Sequence, residues 1–157
     1  VVLIDCPAGI EDGFKNAVSA AQEAIVITTP EVSAVRDADR VIGLLNIHGI
    51  KPIQLVLNRV RPKMMANQEM LSVNDVTDIL ALPLLGLVVE DEQVIVSTNR
   101  GEPLTLSGSG SPAAQAYTNV ARRLQGEDVP LPDPAKMGRG LRAKLRRLIK
   151  TKIFRQQ

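Results

Sequence analysis

Short apolar runs rich in valine, isoleucine and leucine recur along the chain, and helical segments separate them. Such a run, with few polar residues between the apolar ones, predicts a strand buried on both faces. Strands that alternate with helices imply right-handed βαβ units and a parallel sheet. The predicted strands are residues 1–4, 24–28, 53–58 and 83–89. The predicted fold class is α/β: a doubly wound, mainly parallel sheet with helices on both faces.

Helical periodicity fills the stretches between these strands. Residues 32–48 place apolar side chains at helical spacing between charged ones, which predicts an amphipathic helix with a charged outer face. Ser72 and Asp75 resemble a capped helix start. Residues 59–63 are predicted to be irregular and basic. The predicted helices are 11–22, 32–48, 72–80, 90–97 and 111–124.

Composition limits the class of protein. A chain of 157 residues with 45% hydrophobic content suffices for one sizeable core. Aromatic residues make up only 2%, which argues for an aliphatic core and against a base-stacking platform for nucleic acid. Cys6 is the only cysteine, so no internal disulfide forms, and we expect it to be a small buried residue rather than a nucleophile. No apolar run is long enough to span a membrane.

Charge is divided between an acidic body and a basic tail. Residues 1–135 carry all 17 acids and ten Lys/Arg, a net charge of −7, whereas residues 136–157 carry nine Lys/Arg and no acid, a net charge of +9. We predict a body at 1–125, a proline-rich linker at 126–136 and a tail helix at 137–157.

The tail is amphipathic when it is drawn as a helix. Its apolar stripe consists of Met137, Leu141, Leu145, Leu148, Ile149 and Ile153. Basic residues on the flanks and the opposite face include Arg142, Lys144, Arg146, Arg147 and Lys150. This arrangement predicts a helix that lies in a membrane interface. A nucleic-acid arm and a solvated charge run are the alternatives, although neither needs an ordered apolar stripe.

An aspartate and a sharp turn follow the first predicted strand. Asp5 stands at the carboxyl end of that strand, where doubly wound folds bind their ligands, and Pro7 and Gly9 turn the chain beyond it. P-loop nucleotide hydrolases use an acid in this position to hold Mg²⁺ through water. The sequence contains no G-x-x-x-x-G-K-[ST] phosphate loop. These residues therefore look like the second half of a nucleotide hydrolase.

Six motifs in order resemble the MinD family of division-site ATPases, which belongs with chromosome-partition ATPases to the deviant-Walker group. They are IDCPAGIE (4–11), TPEVSAVRDADR (29–40), LNRV (57–60), MLSVNDV (70–76), EDEQV (90–94) and NRGEP (99–103). The basic tail is similar to the membrane-targeting helix of that family. The family's phosphate loop, signature lysine and first switch would precede residue 1, so we expect the chain to be a fragment of a longer protein rather than a natural remnant.

The resemblance implies particular roles for particular residues. Asp5 would hold Mg²⁺ through water, and the turn that ends at Gly9 would face the γ-phosphate of ATP. Asn58 and Arg59 would contact adenine together with the loop that begins at Glu90 and Asp91. The residues implied to bind the division inhibitor MinC and the topological regulator MinE are Arg36, Asp37 and Asp39.

Each of these roles has a simpler alternative. Asp5 would otherwise cap a turn, and Asn58 would satisfy a strand end. The charged residues at 36–39 would otherwise form a solvated helix face. In addition, Val89 stands where the family usually has a proline, which would have fixed φ before the adenine loop.

The resemblance implies an ATPase that dimerises with ATP and Mg²⁺, binds anionic lipids and positions the division site. We expect it on the inner face of a bacterial cell membrane or in a chloroplast, and we expect no nucleic-acid partner. Without the phosphate loop, residues 1–157 alone are predicted to be inactive. The rival hypotheses are a chromosome-partition or flagellar-positioning ATPase of the same group, and a non-catalytic adaptor at a membrane surface.

Overall fold

In the part of the chain that the structure describes, three parallel strands form the sheet, in the order β1 (Ala24–Thr28), β2 (Ile53–Val60) and β3 (Leu84–Val89). The computed structural model describes residues 1–7, 9–108 and 110–133. The helices are α1 (Asp12–Ala20), α2 (Val32–Ile47), α3 (Pro62–Ala66), α4 (Val73–Leu80), α5 (Glu92–Arg100) and α6 (Pro112–Leu124), with a 3₁₀ turn at Leu104–Leu106. The α/β class predicted from the sequence is confirmed.

The sheet separates two apolar clusters. Leu55 and Leu57 of β2 pack into the larger cluster with α1, α2 and α4, whereas Val56 between them packs into the smaller cluster with α6. This is the alternation expected of a strand, whose successive side chains point to opposite faces. Helices therefore cover both faces of the sheet, which explains why three successive residues of its central strand, Leu55, Val56 and Leu57, are all apolar and buried.

Local signals fix where several helices begin. The Ser72 hydroxyl accepts a hydrogen bond from the Asp75 backbone N–H at 3.1 Å, and the Asp75 carboxylate accepts one from the Ser72 N–H at 2.9 Å. This reciprocal capping box starts α4, as the sequence predicted. Ser111 caps α6 by accepting from the Ala114 N–H at 3.1 Å, and Pro112 follows at the first helical position.

The strand predicted at residues 1–4 is not formed. Residues 1–7 have no regular structure, and the apolar side chains of Val1, Val2 and Leu3 are largely exposed. A strand needs a neighbour to pair with, and within the described residues none lies beside this segment. Asp5 consequently does not stand at the end of a strand here. Cys6, expected to be buried, is exposed for the same reason.

The stretch predicted to be irregular at 59–63 is regular except at Arg61. β2 continues through Arg59 to Val60, and α3 begins at Pro62. Val60 is fully buried and continues the apolar face of β2, which explains the longer strand. The prediction that the second strand is buried on both faces is also wrong in part, because Ala24 and Ile25 are only partly buried and Ile27 is 64% exposed.

The predicted tail and the end of the predicted linker lie outside the described residues. This applies to every residue assigned above to the membrane-binding stripe and its basic flanks, and to 134–136 of the linker. Among the helices that the structure does describe, none is long and apolar enough to cross a bilayer.

Gly86 marks a point where α6 and the sheet come into close contact. A Cβ atom built on Gly86 would lie 2.2 Å from Cγ2 of Val120. We expect Gly86→Ala to lower the free energy of unfolding by about 1–3 kcal/mol in urea denaturation, because the packed pair must separate. Gly43→Ala is the matched control, since a Cβ on Gly43 in α2 meets no atom within 4 Å. The control should raise stability by about 0.5–1 kcal/mol, and equal effects of the two substitutions would refute the packing argument.

Candidate functional site

The carboxyl ends of the three strands meet at one edge of the sheet. β1 ends at Thr28, while Val60 of β2 pairs with Val89 of β3. The backbone N–H of Glu90 donates to the Val60 carbonyl at 3.0 Å and extends this pairing by one residue. Ligands of open α/β sheets bind at this edge. The predicted nucleotide residues of β2 and β3 are thus brought together at one place.

A β-bulge reshapes the end of β2. Leu57 pairs with Leu87 and Val60 with Val89, so two residues of β2, Asn58 and Arg59, stand opposite one residue of β3. Arg59 takes a left-handed backbone conformation with φ of 53°. The Asn58 side-chain oxygen accepts a hydrogen bond from the Arg59 N–H at 2.9 Å. Such bulges occur next to active sites, where they redirect side chains.

Two arginines converge on one carboxylate beside this bulge. Arg59 Nη2 lies 3.2 Å from Glu90 Oε1, and Arg61 Nη2 lies 2.8 Å from the same oxygen. Arg61 Nε also donates to Glu90 Oε2, so the Arg61 pair is bidentate. The sequence predicted Arg59 and Glu90 but not Arg61, which lies 29 positions before Glu90. The two arginines and the single carboxylate leave one net positive charge on this cluster.

These contacts shift the pKa of both partners. The hydrogen bond from Arg61 holds the pKa of Glu90 below its ordinary value, and the same bond raises the pKa of Arg61. Because the folded-state pKa of Glu90 is lowered, the pair stabilises the fold above the pKa of an unfolded glutamate. That contribution is lost as the pH falls through the folded-state pKa.

Removal of Arg61 should therefore raise the pKa of Glu90. We expect Arg61→Gln to move it back toward the ordinary value of a glutamate, as followed by carboxyl ¹³C NMR during a pH titration. Arg59→Gln is the matched control and should have a smaller effect, because Arg59 donates only one hydrogen bond, at the longer distance. An unchanged Glu90 pKa in Arg61→Gln would contradict the described geometry.

Asp91 is engaged in holding two helix ends. Its carboxylate accepts hydrogen bonds from the Gln93 N–H at 2.9 Å and the Ala113 N–H at 3.4 Å. Burial acts to raise the pKa of Asp91, but hydrogen bonds from Gln93, Ser111 and Ala113 outweigh it and leave the pKa below its ordinary value. Asp91 thus fixes the start of α5 against the start of α6. The predicted nucleotide contact by Asp91 would have to be made alongside this structural role.

A depression of about 950 Å³ opens beside the arginine cluster. Arg59, Arg61 and Glu90 form one wall, and the start of α2, α3 and the segment before α4 form the others. Three of its lining residues, Met64, Met65 and Met70, are partly buried methionines, of which only Met70 lies in a motif quoted above. Methionine side chains adapt to irregular partners. The depression is therefore an extension of the predicted site that a search for polar motifs could not find.

Neither Asp5 nor Gly9 lines the depression beside the arginine cluster. Asp5 is exposed, and no hydrogen bond or ion pair within the described residues joins it to Glu90 or the arginines. Gly9 has a φ of +101°, a conformation that favours glycine. Pro7 packs on α1 where Gly13 leaves room, since a Cβ on Gly13 would lie 2.6 Å from Pro7 Cγ.

The described residues offer few side chains that could bind a metal ion together. No group of three or more His, Cys, Asp or Glu side chains in the described residues could enclose an ion. An exposed carboxylate such as that of Asp5 fits a water-mediated Mg²⁺ contact, because Mg²⁺ keeps several waters and takes one or two carboxylates.

The predicted partner face lies on α2. A mostly apolar groove of about 270 Å³ runs between α2 and α4, and its lining residues are Val32, Val35, Arg36, Asp39, Leu71 and Ile79. Arg36 and Asp39 thus border exposed apolar surface, and Ile79 is 56% exposed. Asp37 instead lies on an exposed part of the helix, where its Oδ1 is 3.6 Å from Arg40 Nη1. The three residues predicted together therefore divide into two that line the groove and one that does not.

Comparisons with known proteins agree with these features. A protein-family model described as "ParA: NUBPL iron-transfer P-loop NTPase" matches residues 1–125. The septum site-determining protein MinD of Synechocystis sp. is 55% identical over 132 residues, which are 84% of this chain and 50% of that protein. A MinD relative from Guillardia theta is 57% identical over 146 residues, 93% of this chain and 54% of the relative. The chain spans about half the length of the curated relatives it matches.

Solved structures show the same likeness. In the MinC:MinD cell division protein complex of Aquifex aeolicus, one chain is 46% identical with a TM-score of 0.78, over 82% of this chain and 53% of that one. MinD of Pyrococcus horikoshii complexed with Mg-ADP is 27% identical with a TM-score of 0.66, over 76% and 48%. The chain therefore belongs to the ParA family of P-loop NTPases and, within it, to the MinD group of septum site-determining proteins.

Proposed function

We propose that this chain is the carboxyl-terminal part of an Mg²⁺-dependent ATPase that positions the division site of a cell or plastid. The observation that carries the proposal is identity of 55–57% with relatives named as septum site-determining MinD, over most of the chain. That identity favours division-site positioning over the iron transfer in the description of the family model. Because the chain spans half of these relatives, the activity belongs to the intact protein.

The open edge of the sheet supports a missing amino-terminal half. Within the described residues, β1 pairs with a neighbouring strand on one side only, and the apolar side chain of Ile27 in β1 is exposed. The apolar residues 1–4 also lack a strand partner. One further parallel strand between β1 and residues 1–4 would pair both backbones and bury these side chains. An unpaired apolar edge is otherwise an aggregation hazard, so we propose that a phosphate-loop segment supplies this strand.

The residues of this chain would then complete a nucleotide site at the carboxyl edge. A bound Mg²⁺ ion would neutralise charge that develops on the phosphates of ATP. Asp5, at the end of a restored strand, would hold that ion through water, and the turn at Gly9 would approach the γ-phosphate. Asn58 and Arg59 would be presented to adenine by the bulge. Glu90, held by Arg61, would keep the following loop in place.

Membrane attachment would come from the basic tail. The match to the Guillardia theta relative covers 146 of the 157 residues and so extends into this tail. Each basic residue near an anionic leaflet contributes about 1 kcal/mol. A single short helix binds weakly, whereas two tails in an ATP-dependent homodimer bind much better. We therefore propose that the protein acts at the inner face of a bacterial cell membrane or of a chloroplast envelope and is released upon hydrolysis.

The α2–α4 groove is the proposed docking surface for a division inhibitor of the MinC type. Support comes from the related chain in the Aquifex aeolicus MinC:MinD complex and from the resemblance at residues 29–40. The groove offers apolar surface edged by Arg36 and Asp39, which suits a partner that brings its own apolar and charged groups. A MinE-type regulator would act on the same face and stimulate hydrolysis.

Groove residues should matter more for this partner than the exposed acid on the same helix. In a chimera in which the amino-terminal half of Synechocystis MinD precedes Val1, we expect Asp39→Ala to weaken MinC binding by about tenfold, the loss typical of an interface residue whose truncation costs more than about 1 kcal/mol. Asp37→Ala should have a smaller effect, and Asp78→Ala on α4, outside the groove lining, should have none. ATP affinity should stay unchanged in all three. If Asp39→Ala pulled down as much MinC as the parent protein does, the charged face of α2 would be a solvated surface without a role in this interaction.

The proposed function as a whole can be tested in cells. Synechocystis cells that lack MinD should regain correct placement of the division site when they express the chimera. Cells that express residues 1–157 alone should not, because that chain lacks the phosphate loop. A stable, well-expressed chimera that leaves division misplaced would contradict the proposal.

A further inference from the structure

Arg123 binds three backbone carbonyls from two parts of the chain. Its Nη1 donates to the carbonyl of Leu85 in β3 at 3.0 Å. Its Nε donates to the carbonyl of Val129 at 2.8 Å, and its Nη2 to that of Pro130 at 2.7 Å. One guanidinium at the end of α6 therefore joins the sheet to the segment that follows the helix.

The chain beyond α6 folds back to reach this side chain. Gly126 turns the backbone with a φ of +86°. The N–H of Glu127 then donates to the Arg122 carbonyl at 3.1 Å, and that of Val129 donates to the Glu127 carbonyl at 3.0 Å. Residues 127–130 thus lie against the last turn of α6 instead of extending away from the body.

The surroundings of Arg123 differ from those of its neighbour Arg122. Arg123 is partly buried, and burial lowers its pKa, with a further contribution from Arg122. All three of its acceptors are carbonyls, and one lies on β3, at the edge of the described sheet. Arg122 makes one exposed ion pair, with Glu127 at 2.7 Å. Exposed pairs of that kind contribute little, so Arg123 is the stronger attachment of this segment.

We infer that Arg123 is a positioning residue that fixes where the basic tail leaves the body. The path from the body to the tail then begins no earlier than Pro130, instead of at the end of α6. At about 3.5 Å per residue, the greatest possible distance from this starting point to Met137 falls from about 45 Å, measured from Leu124, to about 25 Å. A tail bound to a membrane would hold the body close to the surface and restrict its rotation. The consequence at the membrane rests on the proposed function, whereas the anchor itself does not.

Hydrogen exchange tests the anchor in residues 1–157 without any membrane. In the unmodified chain, the amides of Glu127 and Val129 should exchange at least about tenfold more slowly than those of an unstructured peptide of the same sequence. Arg123→Gln should remove this protection, Arg123→Lys should retain part of it, and Arg122→Gln should change it by less than about twofold. Full exchange in the unmodified chain, or equal effects of Arg122→Gln and Arg123→Gln, would overturn the inference.

Body rotation on vesicles tests the consequence. A dye on Gln115→Cys, in a Cys6→Ser background, reports the motion of α6 when the chain is bound to phosphatidylglycerol–phosphatidylcholine vesicles. Arg123→Gln should bind these vesicles within about twofold of the parent but show a faster anisotropy decay. A Gly-Ser insertion after Pro132, which lengthens the segment between body and tail with Arg123 intact, should have the same effect.

Identical anisotropy decays in all three proteins would overturn the positioning role of Arg123. Failure of every variant to bind would count against the proposed membrane function, and hydrogen exchange alone would then decide the anchor.

Discussion

Binding to anionic vesicles should be lost when a carboxylate enters the apolar stripe of the tail, as in Leu148→Glu or Leu145→Glu. Each substitution removes a side chain whose burial contributes about 1.5–3 kcal/mol. It also brings a negative charge to an anionic leaflet, where each basic residue contributes only about 1 kcal/mol. A short interfacial helix has several kcal/mol in total, so one substitution suffices. Vesicle sedimentation measures the loss, and urea unfolding should show an unchanged body.

Arg146→Ala is the control, because it removes one positive charge and leaves the apolar stripe of the tail intact. It should give a partial loss that grows as salt is added, because attraction between exposed charges is screened. If Leu148→Glu still binds vesicles while Arg146→Ala does not, attachment is purely electrostatic. The tail would then suit a nucleic-acid arm better than a membrane helix.

Asp5→Ala should abolish Mg²⁺-dependent ATP hydrolysis by the chimera with the Synechocystis MinD amino-terminal half. Phosphoryl transfer depends on positioning and charge neutralisation, and a residue that holds the metal contributes to both. Loss of a stabilising group of this kind costs about 10²–10³ in rate. The fold should survive, because Asp5 is exposed and no hydrogen bond or ion pair of its side chain is found in the described part of the chain.

Asp12→Ala is the matched control for this substitution. Asp12 is an exposed acid in the same part of the chain, and its only ion pair in the described residues is with Lys15 at 3.2 Å. The control should hydrolyse ATP at the parent rate. Parent-level turnover by Asp5→Ala would show that Asp5 does no more than cap a turn.

Elements with strong local signals could be predicted from the sequence. β1 was predicted to the residue, because an apolar run ends at Thr29 and Pro30. The start of α4 followed from Ser72 and Asp75, whose capping box depends only on residues three apart. The long helix α2 was predicted within one residue, because its apolar spacing is regular.

Features that depend on distant parts of the chain could not be predicted in this way. Residues 1–4 have the composition of a buried strand, but a strand forms only beside a partner, and composition does not reveal whether one is present. The bulge at Asn58 and Arg59 is fixed by the register with β3. The pairing of Arg61 with Glu90 and the attachment of residues 127–130 by Arg123 join residues whose proximity is set by the fold alone.

Hydrolysis of ATP by the chimera is the most direct measurement of the central claim, that this chain is the carboxyl-terminal part of a MinD-type ATPase. The account predicts Mg²⁺-dependent release of phosphate by the chimera and none by residues 1–157 alone. A folded chimera that neither binds nor hydrolyses ATP would contradict it, as would turnover by the isolated chain.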